Sequence, residues 1–420
     1  MVQTPCSSRV LSCIEDAAWD VSVKKGMAIR MKNKILSILI IITIFSSLTG
    51  CTTAGSFKNE GRKLFDQGKY DEAASSFLKA IELNPNRTDY YIDYGMTLIA
   101  LGRYDEAIPK LDDVYQNRNM VVIKENNKKI HRGKAIAYYY SKEYDKAIEQ
   151  LNLALEIQES PGLNMDILYY KGDSALKVGK YDIGIDTYTK LIELDNKRAK
   201  PLLGRAYCYM ALGDFESSLK DYDAAINLEA KSYDGYLGKY ALMMEQGMKG
   251  EAEELLIIAS ELGGDTDVDK FNQGLIDYYQ GNIDIALIQL EESYGKGFKE
   301  AYYYIGEIYR EKKDYQKAVY YYETYIQEAN VSNSGIYNQL AYSLIKLDDF
   351  SNAIKYIEEG LSMGQVGSRR ILLKNEIVAY EGMGEFDTAL DKMEEYQSFY
   401  PGDEEALREK LFLETRNLDN

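Results

Sequence analysis

A small side chain returns about every thirty-four residues along this chain, and no other feature restricts its architecture as much. The positions are Ala73, Ala107, Ala147, Gly184, Ser218, Ala252, Ala286, Ala318, Ala353 and Ala389, at successive spacings of 34, 40, 37, 34, 34, 34, 32, 35 and 36. Each lies in a recurring phrase, read most clearly as YDEAASSFLKAI from Tyr70 and YDKAIEQLNLAL from Tyr144. Four residues later, one helical turn on, stands a large group: Phe77, Leu111, Leu151, Tyr188, Tyr222, Leu256, Leu290, Tyr322, Ile357 or Met393. Twelve residues earlier eight units carry a second small residue, namely Gly61, Gly95, Ala135, Gly172, Ala206, Gly274, Gly306 and Ala341. Two small residues and one large one, in helical register, predict a pair of closely approaching helices per unit. Gly68, Gly102, Gly179, Gly213, Gly281 and Gly384 fall just before the second helix, where a left-handed residue ends the first.

A period near 34 with these contents resembles the tetratricopeptide repeat (TPR), a two-helix unit whose copies stack into a solenoid. The resemblance covers residues 57–400 as ten units and implies an all-α solenoid. GDEEALREKLFLETRNLDN, residues 402–420, follows Pro401; residues 401–420 read as an amphipathic helix and tail capping the last repeat with a polar back. The family's first-helix Trp is absent, its place taken by Phe57, Tyr91, His131, Leu168 and Leu202 in the first five units, and its closing Pro survives only at Pro85 and Pro401. The sixth unit departs most, with Tyr240 at the close-contact position. Extra residues between the second and third units, NRNMVVIKENNKKIHRGK, are expected as a longer loop or an extended first helix. Their basic cluster, Lys124, Lys128, Lys129, Arg132 and Lys134, reads as a solvated helix start in preference to a dock for a partner's carboxylates.

Ahead of the repeats, KILSILIIITIFSSLTGCTTAG begins at Lys34. Its apolar run, Ile35 to Leu48, is too short for the roughly 20 residues of a spanning helix. Positive residues, an apolar centre and small exit residues instead give a secretory signal over 31–50. Leu48-Thr49-Gly50-Cys51 resembles a bacterial lipobox, which implies cleavage before Cys51, lipidation of its thiol, and a short linker over 51–56. A diacyl group meets the two-chain requirement for stable membrane attachment. Residues 1–30 hold the chain's one Trp, Trp19, and two of its four Cys, a composition unlike the rest; translation from Met31 is expected. The full chain has a net charge of −17; without residues 1–50, which hold 6 Lys/Arg and 3 Asp/Glu, it is −20. Such a surface repels nucleic acid and bare anionic headgroups. Cys208 is then the only thiol left, in the apolar stretch LGRAYCYMALG, and is expected to be a small buried hydrophobe.

No catalytic constellation can be assembled. The single histidine, His131, occupies an apolar first-helix position, and no Walker loop, HExxH or nucleophile elbow is present. A non-enzyme without cofactor or metal is expected. The resemblance implies that first helices line a concave surface gripping protein or peptide partners. Laid onto this sequence, that surface holds Ile136, Tyr139 and Tyr140 in the third unit, Tyr169 and Asp173 in the fourth, and Tyr207 and Met210 in the fifth. It continues with Phe271, Tyr278 and Tyr279 in the seventh, Tyr303 in the eighth and Tyr342 in the ninth. Tyrosine offers wide contact area, low rotamer entropy and a hydroxyl. Some family members hold a chaperone's terminal carboxylates with a Lys and Asn on one first helix and an Asn on the next; here Lys58 keeps the lysine, but Arg62 and Asp93 replace the asparagines, so chaperone-tail binding is not expected. The reading is a lipid-anchored scaffold on the extracytoplasmic face of a bacterial membrane. The alternative is a solute- or glycan-capturing envelope lipoprotein, disfavoured because sugar binders commonly stack substrate on Trp and the mature chain has none.

Overall fold

The computed structural model describes residues 53–329, 334–363 and 366–417. Cys51, the signal segment and residues 1–30 lie outside the described residues. All regular structure among the described residues is helical. The first five helices are α1 (53–66), α2 (Tyr70–Leu83), α3 (Thr88–Ala100), α4 (Tyr104–Asp112) and α5 (Val121–Tyr140). Next come α6 (Tyr144–Glu156), α7 (Asn164–Lys177), α8 (Tyr181–Leu194), α9 (Ala199–Ala211), α10 (Phe215–Leu228), α11 (Tyr233–Glu245) and α12 (Lys249–Ser260). They continue as α13 (Asp267–Tyr279), α14 (Ile283–Gly295), α15 (Glu300–Glu311), α16 (Tyr315–Ala329), α17 (Ser334–Ile345), α18 (Phe350–Ser362), α19 (Val366–Met383), α20 (Phe386–Phe399) and α21 (Glu404–Asn417). That is ten first-and-second-helix units and one closing helix, the α-solenoid class the period predicts.

The described residues form two compact units, 53–142 with 156–159 and 143–155 with the described residues from 160 to 417. Each is built on the same seam. Ala73 and Ala107 in the first unit, and the other eight small residues of the series in the second, are buried. All ten large residues are buried too, the most exposed at 3%. The close-contact glycines sit beneath those large residues. A Cβ on Gly61 would meet Phe77 at 2.8 Å, on Gly95 Leu111 at 2.8 Å, on Gly172 Tyr188 at 2.7 Å, and on Gly306 Tyr322 at 2.6 Å. Glycine is required because the partner side chain occupies the space of a methyl group. Gly184 is glycine for the same reason, since its Cβ would lie 2.5 Å from Cys208 Sγ. Cys208 is fully buried, the hydrophobe the sequence suggests, and burial pushes its thiol up to about 12.

The hairpin turns repeat one geometry. Gly68, Gly102, Gly179, Gly213, Gly281 and Gly384 all have φ between 70° and 82°, and Gly247 joins them at 72°. The following amide then reaches back to the last turn, as Arg103 N to Leu98 O (2.9 Å) and Asp214 N to Tyr209 O (2.9 Å). Three units lack the glycine, and Lys142, Lys313 and Asp348 adopt φ of 63°, 61° and 59° instead. The backbone path is therefore fixed by packing even where the residue resists it.

The irregular segment resolves as both options at once. Pro109 lies inside the nine-residue α4, an eight-residue connection follows, and α5 extends to 20 residues. Its basic cluster is only in part a solvated start: Lys129 is exposed, but other members are taken up by the protein. Lys128 is fully buried and donates to Ile157 O at 2.8 Å, while Lys134 pairs with Asp112 at 2.6 Å and Lys124 with Glu159 at 3.2 Å. His131 is 9% exposed and packs edge-on to Tyr115, 5.4 Å between ring centres. In the sixth unit Tyr240 is itself core, 4.9 Å from the ring of Tyr279. The closing helix also departs from expectation. Ala406 and Leu413 face the last repeat, but the back is only partly polar, with Leu411 63% exposed. No helix among the described residues is long and apolar enough to cross a membrane.

Candidate partner-binding face

The candidate residues all lie on first helices, but the structure gives them different work. In the first compact unit Ile136 is closed off as core. Tyr140, half exposed, stacks on Tyr104 at 6.0 Å and meets Tyr139 edge-on at 5.3 Å, so these two form one aromatic surface with Tyr104. On the first helices of the first two repeats the charged residues neutralise one another. Lys58 Nζ lies 2.5 Å from Asp89 and 4.0 Å from Asp93, and Arg62 makes a two-point contact to Asp93 at 2.9 and 3.1 Å. Hydrogen bonds from Arg87 and Lys58, opposing the cost of burial, hold Asp89 down at about 2.

In the second unit Tyr169 is half-buried with the Lys200 ammonium 5.2 Å above its ring, and Lys200 also approaches Asp173 at 3.6 Å. Asp173 accepts a 2.8 Å hydrogen bond from the Tyr188 hydroxyl. Tyr207 is 45% exposed, edge-on to Tyr181, whereas Met210 packs against Ala206 and Tyr222. Phe271 stacks on Phe298 at 5.2 Å. Tyr342 carries the Lys346 ammonium at 5.3 Å.

Tyr278, Tyr279 and Tyr303 belong to a network. Tyr278 donates to Glu311 Oε1 at 3.0 Å, the Tyr279 hydroxyl lies 3.3 Å from that of Tyr304, and Tyr303 touches Tyr304 at 5.1 Å and Tyr325 at 5.9 Å. Burial first, and neighbouring Glu311 and Glu307 second, push Tyr278 above the ordinary phenol range; burial and then Glu307 do the same to Tyr303. Both hydroxyls stay protonated, and that of Tyr278 acts as a donor. Beneath them Tyr322 donates to the buried Glu307 at 2.5 Å, and Glu307 pairs with Arg310 at 2.8 Å. Asp173 and Glu307 were readable from sequence in one respect: each directly follows a close-contact glycine in a unit whose large residue is Tyr. An acceptor is needed there because a buried phenol without one is costly.

Comparison with known proteins agrees with the fold. Tetratricopeptide repeat models match residues 58–119, 169–235, 271–333 and 334–363, just over half of the chain, and the chain belongs to the tetratricopeptide repeat family. It is similar to the Hsp70-Hsp90 organizing protein of Triticum aestivum, 27% identical over 215 residues, 44% of this chain and 37% of that protein. It is also similar to the serine/threonine-protein phosphatase 5 of Homo sapiens, 31% identical over 99 residues, 23% of this chain and 19% of that one. The chain thus spans well under half the length of these relatives. Solved structures like it include a tetratricopeptide repeat protein from Parabacteroides merdae (18% identity, 59% of this chain and 94% of that one, TM-score 0.47). Another is YrrB, described as a TPR protein with an unusual peptide-binding site (18% identity, 47% and 96%, TM-score 0.38).

Proposed function

We propose that this protein is a lipid-anchored scaffold, tethered through Cys51 on the extracytoplasmic side of a bacterial membrane, that binds polypeptide partners on its first-helix face and performs no catalysis. The observation that carries the reading is the row of partly exposed tyrosines on successive first helices, Tyr169 and Tyr207 foremost, while the second-helix aromatics Tyr188 and Tyr222 are buried. Partial exposure of a rigid aromatic with a free edge is the surface a peptide can pack on. Relatives named as Hsp70-Hsp90 organizing proteins support a protein partner. A chaperone's carboxylate tail is not the partner proposed, because Lys58 and Arg62 already have Asp89 and Asp93. Two experiments test the reading. Cys51→Ser should move the protein from the membrane to the soluble fraction and end labelling by a fatty-acid analogue; unchanged fractionation rejects the anchor. Tyr169→Ala with Tyr207→Ala should remove the partners cross-linked in native cells while helical circular dichroism persists.

A second reading, capture of a polar solute, has one observation behind it. A pocket of about 320 Å3 in the first unit is lined by Asn117, Arg118, Asn119, Asn127, Gln158 and Tyr115 among others. Amides beside an aromatic suit hydroxylated ligands. Binding of a glycan that is lost in Arg118→Ala, with no protein partner recovered, would favour it over the scaffold.

A further inference from the structure

The second helices turn a face away from the seam, and its register can be followed through all ten units. Positions one before, two after and six after the small residue fall within about 60° of each other on a helix of 100° per residue. At the position two after, Ser75, Glu149, Asp186, Lys220 and Lys355 are polar and exposed, the usual solvent face of an amphipathic helix. Two successive units, α14 and α16, break this rule, and α12 before them carries an apolar residue elsewhere on the same face. α12 presents Ile258 at the position six after, α14 presents Ile285 and Ile288 at one before and two after, and α16 presents Tyr320 at two after. They are 47%, 53%, 67% and 62% exposed. Isolated exposed apolar residues need no explanation, but four on the same helix face of consecutive units do.

The charge around the three isoleucines is one-sided, whereas residues 296–329 hold six of each sign and α16 carries exposed Lys317 at its one-before position, paired with Asp314 at 3.4 Å. Residues 229–295 hold 14 Asp/Glu against 4 Lys/Arg, a net of −10 within a chain whose whole net charge is −17. Glu251 and Glu254 occupy the remaining positions of the same face in α12, are exposed, and make no ion pair among the described residues. Glu292, at the end of the stripe in α14, is met only by Lys270 at 3.6 Å.

From this register and charge we propose that the outward face of α12, α14 and α16 docks a cationic amphipathic helix of a partner protein, its apolar side on Ile258, Ile285, Ile288 and Tyr320 and its lysines or arginines on Glu251 and Glu254. An apolar stripe alone would accept many partners; the acidic surround rejects acidic ones by like-charge repulsion and steers basic ones. The face lies on second helices, so it is separate from the first-helix face and leaves that face free for another partner.

The test uses the purified protein and three fluorescein-labelled 16-residue peptides read by fluorescence anisotropy. One is an amphipathic Lys/Leu helix, the second replaces every Lys by Glu, and the third keeps Lys but replaces every Leu by Ser. The Lys/Leu peptide should bind at least tenfold more tightly than either control. Ile285→Ser with Ile288→Ser should weaken it at least tenfold, and Glu251→Gln with Glu254→Gln several-fold while flattening its salt dependence. Tyr169→Ala with Tyr207→Ala should leave it unchanged, which separates this result from the fate of the first-helix reading. Equal binding of either control peptide, or of the isoleucine variant with native circular dichroism, overturns the proposal. So does concentration-dependent self-association that Ile288→Ser removes, since a second copy would then be the occupant.

Discussion

Replacing Gly172 by Ala puts the close-approach reasoning at risk, because helix propensity and packing predict opposite signs. Gly172 lies inside α7, where Ala is ordinarily favoured by about 1 kcal/mol. Its new methyl would stand 2.7 Å from Cε1 and Cζ of Tyr188, against the roughly 3.5–4.0 Å of a comfortable carbon contact. The ring has nowhere to retreat. A Cβ at Gly204 on the next first helix would be 2.5 Å from the same Cζ, so backbone closes the far side, and the hydroxyl is tied to Asp173 at 2.8 Å. Overpacking of this kind costs about 1–3 kcal/mol. The net expectation is a loss of up to about 2 kcal/mol, or as much as roughly 30-fold more opening.

Stacked repeats unfold locally, since each contacts only its neighbours. Amide hydrogen exchange read by mass spectrometry is therefore the suitable assay. Protection should fall in peptides from Asn164 to Ala211 and hold at α15 to α18. The control is Gly250→Ala, a site in the first turn of α12 with no atom within 4 Å of the added Cβ, where the same substitution should stabilise by about 0.5 kcal/mol. Tyr188→Leu added to Gly172→Ala should recover part of the loss, because the two residues share one seam. Equal or greater protection in Gly172→Ala would refute the claim that the ring dictates the glycine.

Three further outcomes follow from single residues. Lys313, at φ 61° where most units have glycine, should give about 1 kcal/mol of stability on change to Gly, measured as a higher urea midpoint, and Asp348→Gly less, because Asp tolerates the left-handed region better. Burial and the facing Glu409 raise Glu381 from 4.5 to about 7, so the folded state holds a proton the unfolded chain has lost; stability falls as pH rises from about 4.5 to 7 and stays low above it. Glu381→Gln should therefore raise stability at pH 8 by about 1 kcal/mol, allowing for solvent screening, and leave it unchanged at pH 4, which thermal melts at the two values would check. Cys208 should resist iodoacetamide in the native protein and react in urea; prompt native alkylation would contradict its burial.

The fold was legible in this sequence because its determinants are local and repeated. A small residue, a large one four on, and a small one twelve before all lie within one hairpin, and buried small and large residues recur through the series. What stayed hidden depends on neighbours one whole unit away. Whether a first-helix tyrosine is free or occupied is decided about 33 residues along the chain: Tyr278 is held by Glu311, and on a second helix Tyr356 is held by Glu323, both at that separation. No such acid is hydrogen-bonded to Tyr207 among the described residues, and it remains half exposed. The same holds for charge. Lys128 reads as surface from its own helix, yet a carbonyl at Ile157, 29 residues later, takes it into the core. A repeat period therefore fixes which face a side chain is on, while the unit beside it fixes whether that face has anything left to offer a partner. This is why the candidate site divides as it does: Tyr169, Tyr207 and Tyr140 keep open surface, whereas Ile136 and Met210 serve the packing of their own repeats.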